Sequence, residues 1–253
     1  MQKRKQAALV LGGSGDIGAA CCLQLAQEGW DVAIGYHKNA ARAESLANDV
    51  KAMGRAACAV QTDLADECSL HKAVAAAEML SPLGTVVFLA GPTIPQRLIS
   101  TIEATDMAYH IDQEAMGLFR AVKAALPALR ANAGAFVIAL SCAQLRVASR
   151  DGLSLMAKFA MEGLMKTLAK EEGRFGLRAN GIAIGLIDAG AQKRLQASGD
   201  IDENYLAQAI KTMPLRRLGQ SEDIAHCVAF LADGRKSGFM TGQIIAVDGG
   251  YSL

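Results

Sequence analysis

The sequence predicts an α/β fold, a doubly wound parallel sheet of about seven strands flanked by helices in a three-layer α/β/α arrangement. Three observations predict it. Short apolar runs alternate with longer helical patterns along all 253 residues, as a parallel sheet covered on both faces requires. The first apolar run passes straight into a glycine-rich turn, Leu11-Gly12-Gly13-Ser14-Gly15-Asp16-Ile17-Gly18, that opens an amphipathic helix. No Pro/Ser-rich linker, repeat or low-complexity tract divides the chain, so residues 1–253 are expected to form one domain.

Taken in order, strands are predicted at Ala7–Leu11, Asp31–Tyr36, Ala56–Val60, Thr85–Ala90, Gly134–Leu140, Leu177–Ile184 and Gln243–Val247, each a short apolar run. Helices are predicted at Asp16–Glu28, Ala40–Met53, Glu67–Leu80, Ile102–Arg130, Gly152–Glu172 and Ser221–Asp233. Ser221 is suited to cap the helix it opens, and Gly29, Gly54, Gly173 and Gly234 follow helical stretches where a left-handed residue costs least. Gly185 to Asp202 reads as a long excursion, and residues 185–212 as a mobile lid over a site.

Composition excludes several classes. Hydrophobic residues make up 51% and charged residues 20%, which excludes disorder, and no apolar run approaches the ~20 residues that span a bilayer. Lys3, Arg4 and Lys5 precede an apolar run that enters glycines without a cleavage-type site, so a buried first strand is predicted rather than a signal peptide, and a cytoplasmic location with it. A net charge of +1, with Lys and Arg spread along the chain, gives no footprint for nucleic acid or membrane. The six cysteines show no CxxC pair and no Cys/His ligand spacing, so no disulfide framework and no metal site are expected.

The glycine-rich turn points to a dinucleotide. Glycines allow the tight turn and close backbone approach, and the free N–H groups of the helix start face phosphates. Gly12, Ser14, Gly15, Asp16, Ile17 and Gly18 are the candidate residues. A carboxylate ending the second strand would bind the adenosine ribose of NAD, but this strand ends Gly35-Tyr36-His37-Lys38-Asn39. NADP(H) is therefore the predicted cofactor, with NAD(H) as the alternative. Lys38, with His37 and Arg42, either faces the 2′-phosphate or is a solvated loop lysine.

The turn is similar to the fingerprint TGxxxGxG, with Leu11 for the threonine and Asp16 for the middle glycine, and the stretch Pro214-Leu215-Arg216-Arg217-Leu218-Gly219 through Thr241-Gly242-Gln243 to Asp248-Gly249-Gly250 is similarly typical. On these motifs the chain resembles the short-chain dehydrogenase/reductase superfamily, in its 3-oxoacyl-acyl-carrier-protein-reductase-like form, over nearly its whole length. The resemblance implies a Rossmann-type sheet, with Asp63 and Leu64 bordering the adenine and Gly185 and Ile187 bordering the nicotinamide amide. It also places Ala90 and Gly91 beside the cofactor, in a stretch Phe88-Leu89-Ala90-Gly91 where the family has NNAG.

The family's catalytic serine, tyrosine and lysine, spaced by thirteen and four residues, fall on Ser141, Ser154 and Lys158, the resemblance also giving Lys158 the nicotinamide ribose to bind, and its relay asparagine, five positions before Phe119, falls on Glu114. Tyrosine, with a pKa near ~10 that an ammonium lowers, is a competent proton donor, whereas an aliphatic hydroxyl is far too weak an acid alone. The resemblance thus implies an oxidoreductase acting on a carbonyl or hydroxyl, with Glu114, Ser154 and water as a rebuilt acid/base. The alternatives are a catalytically inactive cofactor-binding protein or silent subunit and, ranked last, a non-redox elimination or isomerisation. Glu114 and Lys158 form either a proton path or a plain ion pair. Cys142, Gln144, Arg146 and Arg150 are expected around the substrate entrance, with Cys142 a buried thiol by default. Family members assemble through the helices at 102–130 and 152–172, so a homo-oligomer, tetramer or dimer, is expected, with Ala157, Ala160 and Gly163 allowing close packing.

Overall fold

The computed structural model describes residues 6–197, 199 and 203–253; Lys3, Arg4 and Lys5 lie outside them. Among these residues one parallel sheet contains β1 (Ala7–Leu11), β2 (Asp31–Tyr36), β3 (Ala57–Gln61), β4 (Leu83–Phe88), β5 (Ala135–Ser141), β6 (Arg178–Ile184) and β7 (Ile244–Val247), in the order β3-β2-β1-β4-β5-β6-β7. The helices are α1 (Asp16–Gln27), α2 (Ala40–Ala52), α3 (Glu67–Leu80), α4 (Ala104–Ile111), α5 (Gly117–Ala131), α6 (Gly152–Glu172), α7 (Gly190–Ala197), α8 (Glu203–Thr212), α9 (Ser221–Ala232) and α10 (Gly234–Ser237). The predicted doubly wound α/β/α fold is the fold observed.

Alternation along each strand divides the apolar side chains between two cores. Leu9 and Leu11 of β1, Phe88 of β4 and Phe136 and Ile138 of β5 pack under α3, α5 and α6. Val10, Val32, Ile34 and Val137 face the other way, under α1, α2 and α9. From β1 the chain steps outward through β2 and β3, then returns to place β4 on β1's other side. The connections leaving β1 and β4 therefore diverge, opening a crevice at the C-terminal ends of these strands.

Several predicted boundaries move, each for a physical reason. The strand predicted at Thr85–Ala90 runs Leu83–Phe88, because Phe88 pairs with Leu11 and the chain turns away at Gly12, leaving Leu89 to Gly91 at the crevice instead of in the ladder. The single helix predicted at Ile102–Arg130 is α4 and α5 joined by a wide turn over Asp112–Met116 with π-type bonding. Such turns insert a residue and re-aim side chains; this one buries Glu114. Gly29 and Gly54 are left-handed as predicted (φ +94° and +78°), but Gly173 is right-handed at φ −54° and the left-handed residue there is Gly176, at +75°. Gly234 is not left-handed either and opens α10. Gln220, not Ser221, precedes α9, and its N–H donates to Asp223 Oδ2 at 2.8 Å. The segment predicted as a lid contains α7 and α8; residues 198 and 200–202 of it lie outside the described residues. No described helix is long and apolar enough to cross a membrane.

Arg178 opens β6 with its side chain buried. Its guanidinium donates to the carbonyls of Leu231 (2.8 Å), Ala232 (3.2 Å) and Ser237 (3.2 Å). These carbonyls end α9 and α10, where intrahelical partners run out and a cation meets the negative end of the helix. Arg178→Leu removes these charge-assisted bonds and is expected to lower the unfolding free energy by about 3 kcal/mol, seen as a lower urea midpoint with an unchanged slope.

Candidate functional site

Two adjoining clefts open at the crevice. The first, about 600 Å³, is lined by Gly12, Ser14 and Gly15 of the glycine-rich turn, His37, Lys38 and Asn39 after β2, Asp63 and Leu64 after β3, and Ala90 and Gly91 after β4. The turn has its shape because no side chain fits it. Gly12 has φ +84°, and a Cβ there would lie 2.8 Å from the Ala90 nitrogen; a Cβ on Gly18 would lie 2.2 Å from the Gly12 carbonyl oxygen. Gly15, the cap position of α1, offers no side-chain acceptor to the first-turn N–H groups. Uncapped donors at the positive end of a helix, with the cleft beside them, fit the pyrophosphate of a dinucleotide. At the far end no carboxylate terminates β2, and Asn39 is occupied in capping α2, accepting from the Arg42 N–H at 3.1 Å.

Three predicted cofactor residues, Gly18, Asp16 and Lys158, line neither cleft. Gly18 is packed against Gly12. The Asp16 carboxylate accepts from Arg42 Nη2 at 2.6 Å and from the Gly190 N–H at 2.7 Å. The Arg42 hydrogen bond, followed by that of Gly190, holds this acid below the usual carboxylate range. Arg42, predicted beside a 2′-phosphate, is therefore committed to Asp16, and Asp16 ties the start of α7 to α1. A cation that sequence reasoning missed, Arg194, also lines this cleft and donates to Thr93 Oγ1 at 3.2 Å. Its only signal was its place in the excursion after β6.

The second cleft, about 240 Å³, brings together Ile17, Ser141, Ser154, Gly185 and Ile187. Ser141 ends β5 and its Oγ accepts from the Ala143 N–H at 3.1 Å, leaving the hydroxyl proton free to point into the cleft. Gly185 is pressed so closely on Asp248 that a Cβ would lie 2.5 Å from its Cα. Ser154 and Lys158 sit one turn apart on α6. Sequence reasoning missed three polar members of this cleft, Gln96, Asp151 and Tyr251. Burial, resisted by a hydrogen bond from Gln96 Nε2 to Asp151 Oδ1 at 3.2 Å, pushes the Asp151 carboxyl above its ordinary value.

Lys158 and Glu114 lie beneath the clefts. Lys158 Nζ is 2.8 Å from Glu114 Oε1 and donates to the Ala139 carbonyl at 3.3 Å, with the two side chains only 12% and 3% exposed. A Cβ on Gly91 would come within 2.9 Å of the same Glu114 oxygen, so Gly91 lets the carboxylate in. Glu114 Oε2 is buried with no hydrogen-bond partner among the described residues.

The predicted entrance is only partly an entrance. Gln144 turns inward: its Oε1 accepts from the Ser141 N–H (3.1 Å), and its Nε2 donates to the Lys158 carbonyl (3.2 Å) and to Glu162 Oε2 (2.8 Å). Arg146 donates to the Tyr251 carbonyl at 2.9 Å and lies 5.0 Å from the centre of its ring, pinning the C-terminal segment to the loop after β5. Arg150 is exposed, with φ +71°. Burial, then the neighbouring charges of Asp248 and Asp151, push the Cys142 thiol up to about 12, which removes it as a nucleophile. Iodoacetamide at pH 8 is expected to label exposed Cys68 and to spare Cys142 in the native protein, read by peptide mass spectrometry. No group of His, Cys, Asp and Glu among the described residues is arranged to hold a metal ion.

Residues 13–252 match the family described as enoyl-(acyl carrier protein) reductase. The chain is 32% identical over 255 residues to the 3-oxoacyl-[acyl-carrier-protein] reductase FabG of Staphylococcus aureus, covering 99% of this chain and 100% of that protein. It is 30% identical to the 3-oxoacyl-[acyl-carrier-protein] reductase of Synechocystis, over 98% and 97% of the two chains. Among solved structures, a short-chain dehydrogenase/reductase from Serratia marcescens superposes with a TM-score of 0.89 at 29% identity over the whole of both chains. A blue fluorescent protein from a metagenomic library, in complex with NADPH, does so with the same score and identity, again over the whole of both chains. The chain belongs to the short-chain dehydrogenase/reductase superfamily of oxidoreductases and, within it, to the FabG-like family.

Proposed function

We propose that the protein is an NADP(H)-dependent oxidoreductase that interconverts a carbonyl and a hydroxyl group in the cleft of Ser141, with Ser154 standing where its relatives carry the proton-donating tyrosine. The observation that carries this reading is the junction of the two clefts. One ends on the uncapped start of α1, and the other holds a serine hydroxyl beside Gly185. The names of the relatives put a 3-oxoacyl thioester first among substrates to try, and the neighbour bound to NADPH supports the cofactor.

A bound nicotinamide supplies or accepts the hydride. The remaining work falls to this chain's residues. Ser14, Gly15 and Ile17 at the start of α1 would hold the pyrophosphate, Asp63 and Leu64 would border the adenine, and His37 and Lys38 would face the 2′-phosphate. Gly185 and Ile187 would border the nicotinamide, and the Ser141 hydroxyl would donate to the carbonyl oxygen and orient it. NADPH is expected to bind more tightly than NADH in calorimetric titration, and Lys38→Ala to weaken NADPH by about tenfold while leaving NADH unchanged. Tighter binding of NADH would reverse the cofactor assignment, and failure of both to bind would sink the reading.

The Lys158–Glu114 pair carries a stability prediction of its own. Lys158→Met leaves a carboxylate buried without its cation and is expected to cost about 3–5 kcal/mol. The double change Lys158→Met with Glu114→Leu is expected to recover most of that loss in thermal melts.

A second reading, a cofactor-binding protein without catalysis, is favoured by one observation: the Lys158 ammonium is drawn to Glu114 and the Ala139 carbonyl, not into the cleft. Ser154→Tyr separates the two, since a gain in reductase activity requires an otherwise intact site. The oxidoreductase reading includes a homo-oligomer. Phe119 on α5 and Met156, Phe159, Ala160 and Gly163 on α6 are exposed, whereas Ala157 is buried within the chain and lies off that face. Light scattering that shows a monomer would remove this part.

A further inference from the structure

We propose that the side chain of Asp151 is the acid that delivers a proton to the substrate's carbonyl oxygen, in the cleft it shares with Ser141 and Ser154. The inference rests on the oxidoreductase reading above and adds the group that the reading lacks.

The position of Asp151 is unusual for an aspartate at a helix start. It occupies the residue before α6, where a carboxylate ordinarily accepts from the first-turn N–H groups, yet it makes no such bond. Its Oδ1 accepts from Gln96 Nε2 instead, and its backbone is bridged to Arg97, whose N–H donates to the Arg150 carbonyl at 2.8 Å. The strand-like clip of residues 96–97 on 150–151 places Asp151 in the lining of the cleft, with Gln96, Ser141, Ser154 and Tyr251. The rival groups are less suited to deliver a proton. Ser154 is an aliphatic alcohol; Glu114 is locked onto Lys158 beneath Gly91; the Tyr251 ring lies under the Arg146 guanidinium.

The charges around Asp151 suit an acid that must keep its proton. Burial opposes its ionisation, Glu114 does so as well, and Lys158 and the Gln96 amide favour it. Because Glu114 sits 2.8 Å from Lys158, the ammonium's pull on Asp151 is largely cancelled. Of the remaining neighbours, Arg97 is paired with Asp106 at 2.7 Å, Arg150 is exposed, and Cys142 holds its proton. His110 is buried near Glu114, and burial lowers its pKa, so it adds no cation at neutral pH.

In the reductive direction the carbonyl carbon gains the hydride and the carbonyl oxygen gains the Asp151 proton. The C=O π bond is replaced by one C–H and one O–H bond, the dihydronicotinamide is oxidised, and the Asp151 carboxylate regains its proton from water. The oxidation runs the same steps backwards.

The test combines infrared titration of the cofactor-free protein with kinetics. Subtracting the Asp151→Asn spectrum is expected to isolate a protonated carboxyl band that persists above the ordinary aspartate range near ~4. The same variant is expected to lose about 10²–10⁴-fold in kcat with KM and NADPH affinity little changed, and Asp151→Glu to restore part of the rate. The wild-type reduction rate is expected to fall as pH rises through the titration of that band, a limb missing in Asp151→Asn. A band that titrates as an ordinary aspartate, a rise in KM with kcat retained, or a loss in Tyr251→Phe that Asp151→Asn does not share would overturn the role of Asp151 alone. Wild-type protein that binds NADPH yet turns over no 3-oxoacyl thioester or other carbonyl would overturn the oxidoreductase reading and this role together.

Discussion

The close approach of the turn after β1 to the end of β4 organises this molecule. Gly12 runs past Ala90 at a distance that admits no Cβ, in a backbone conformation that side chains rarely adopt. Contact at that point stops the β1–β4 ladder at Leu11 and Phe88, directs α1 with its uncapped start toward the crevice, and releases Leu89 to Gly91 to form its wall. Gly91 is then bare above Glu114, which is how a buried carboxylate reaches Lys158. The cleft at the start of α1 and the buried ion pair are therefore consequences of one backbone crossing.

Much of this was legible in the sequence because it depends on local chemistry. The apolar runs at Ala7–Leu11 and Asp31–Tyr36 and the helical patterns at Glu67–Leu80 and Gly152–Glu172 have the predicted ends, since the periodicity and flanking residues that define them are contiguous. Boundaries shifted where a distant partner decides them. The end of β4 is set by Leu11, and the break between α4 and α5 by the burial of Glu114, neither of which the local residues announce. Gly12, Ser14 and Gly15 were readable from the glycine-rich turn and Lys38 from the end of β2, whereas Asp63 and Gly91 came from the family resemblance; one cleft gathers them all.

The rest of the site was not readable, because membership of a pocket is a tertiary property. Asp151 reads as an ordinary helix-start aspartate until the Gln96 segment is seen to hold its carboxyl away from the helix. Tyr251 reads as a chain end until Arg146 pins it beside the cleft. Asp16 and Arg42, each a reasonable cofactor ligand from position alone, satisfy one another across two helices. Charged groups pair with whatever the fold brings nearest, and sequence separation carries no information about that.

On the reading proposed above, the residues at positions 114, 151 and 154 form a coupled set. A phenol titrates near ~10, so a lysine beside it is useful because the ammonium brings the proton within reach at neutral pH. A carboxylic acid titrates near ~4 and has the opposite need: it must be kept from ionising, and an unneutralised ammonium would strip it. On the reading proposed here, losing the phenol at position 154 and gaining a carboxylate at position 114 belong together. Glu114 neutralises Lys158, burial then dominates the environment of Asp151, and the acid keeps the proton it has to deliver. An amide at position 114 would leave the ammonium's field intact and draw the proton off Asp151. On that reading, Glu114 is the residue that a carboxyl proton donor at position 151 requires.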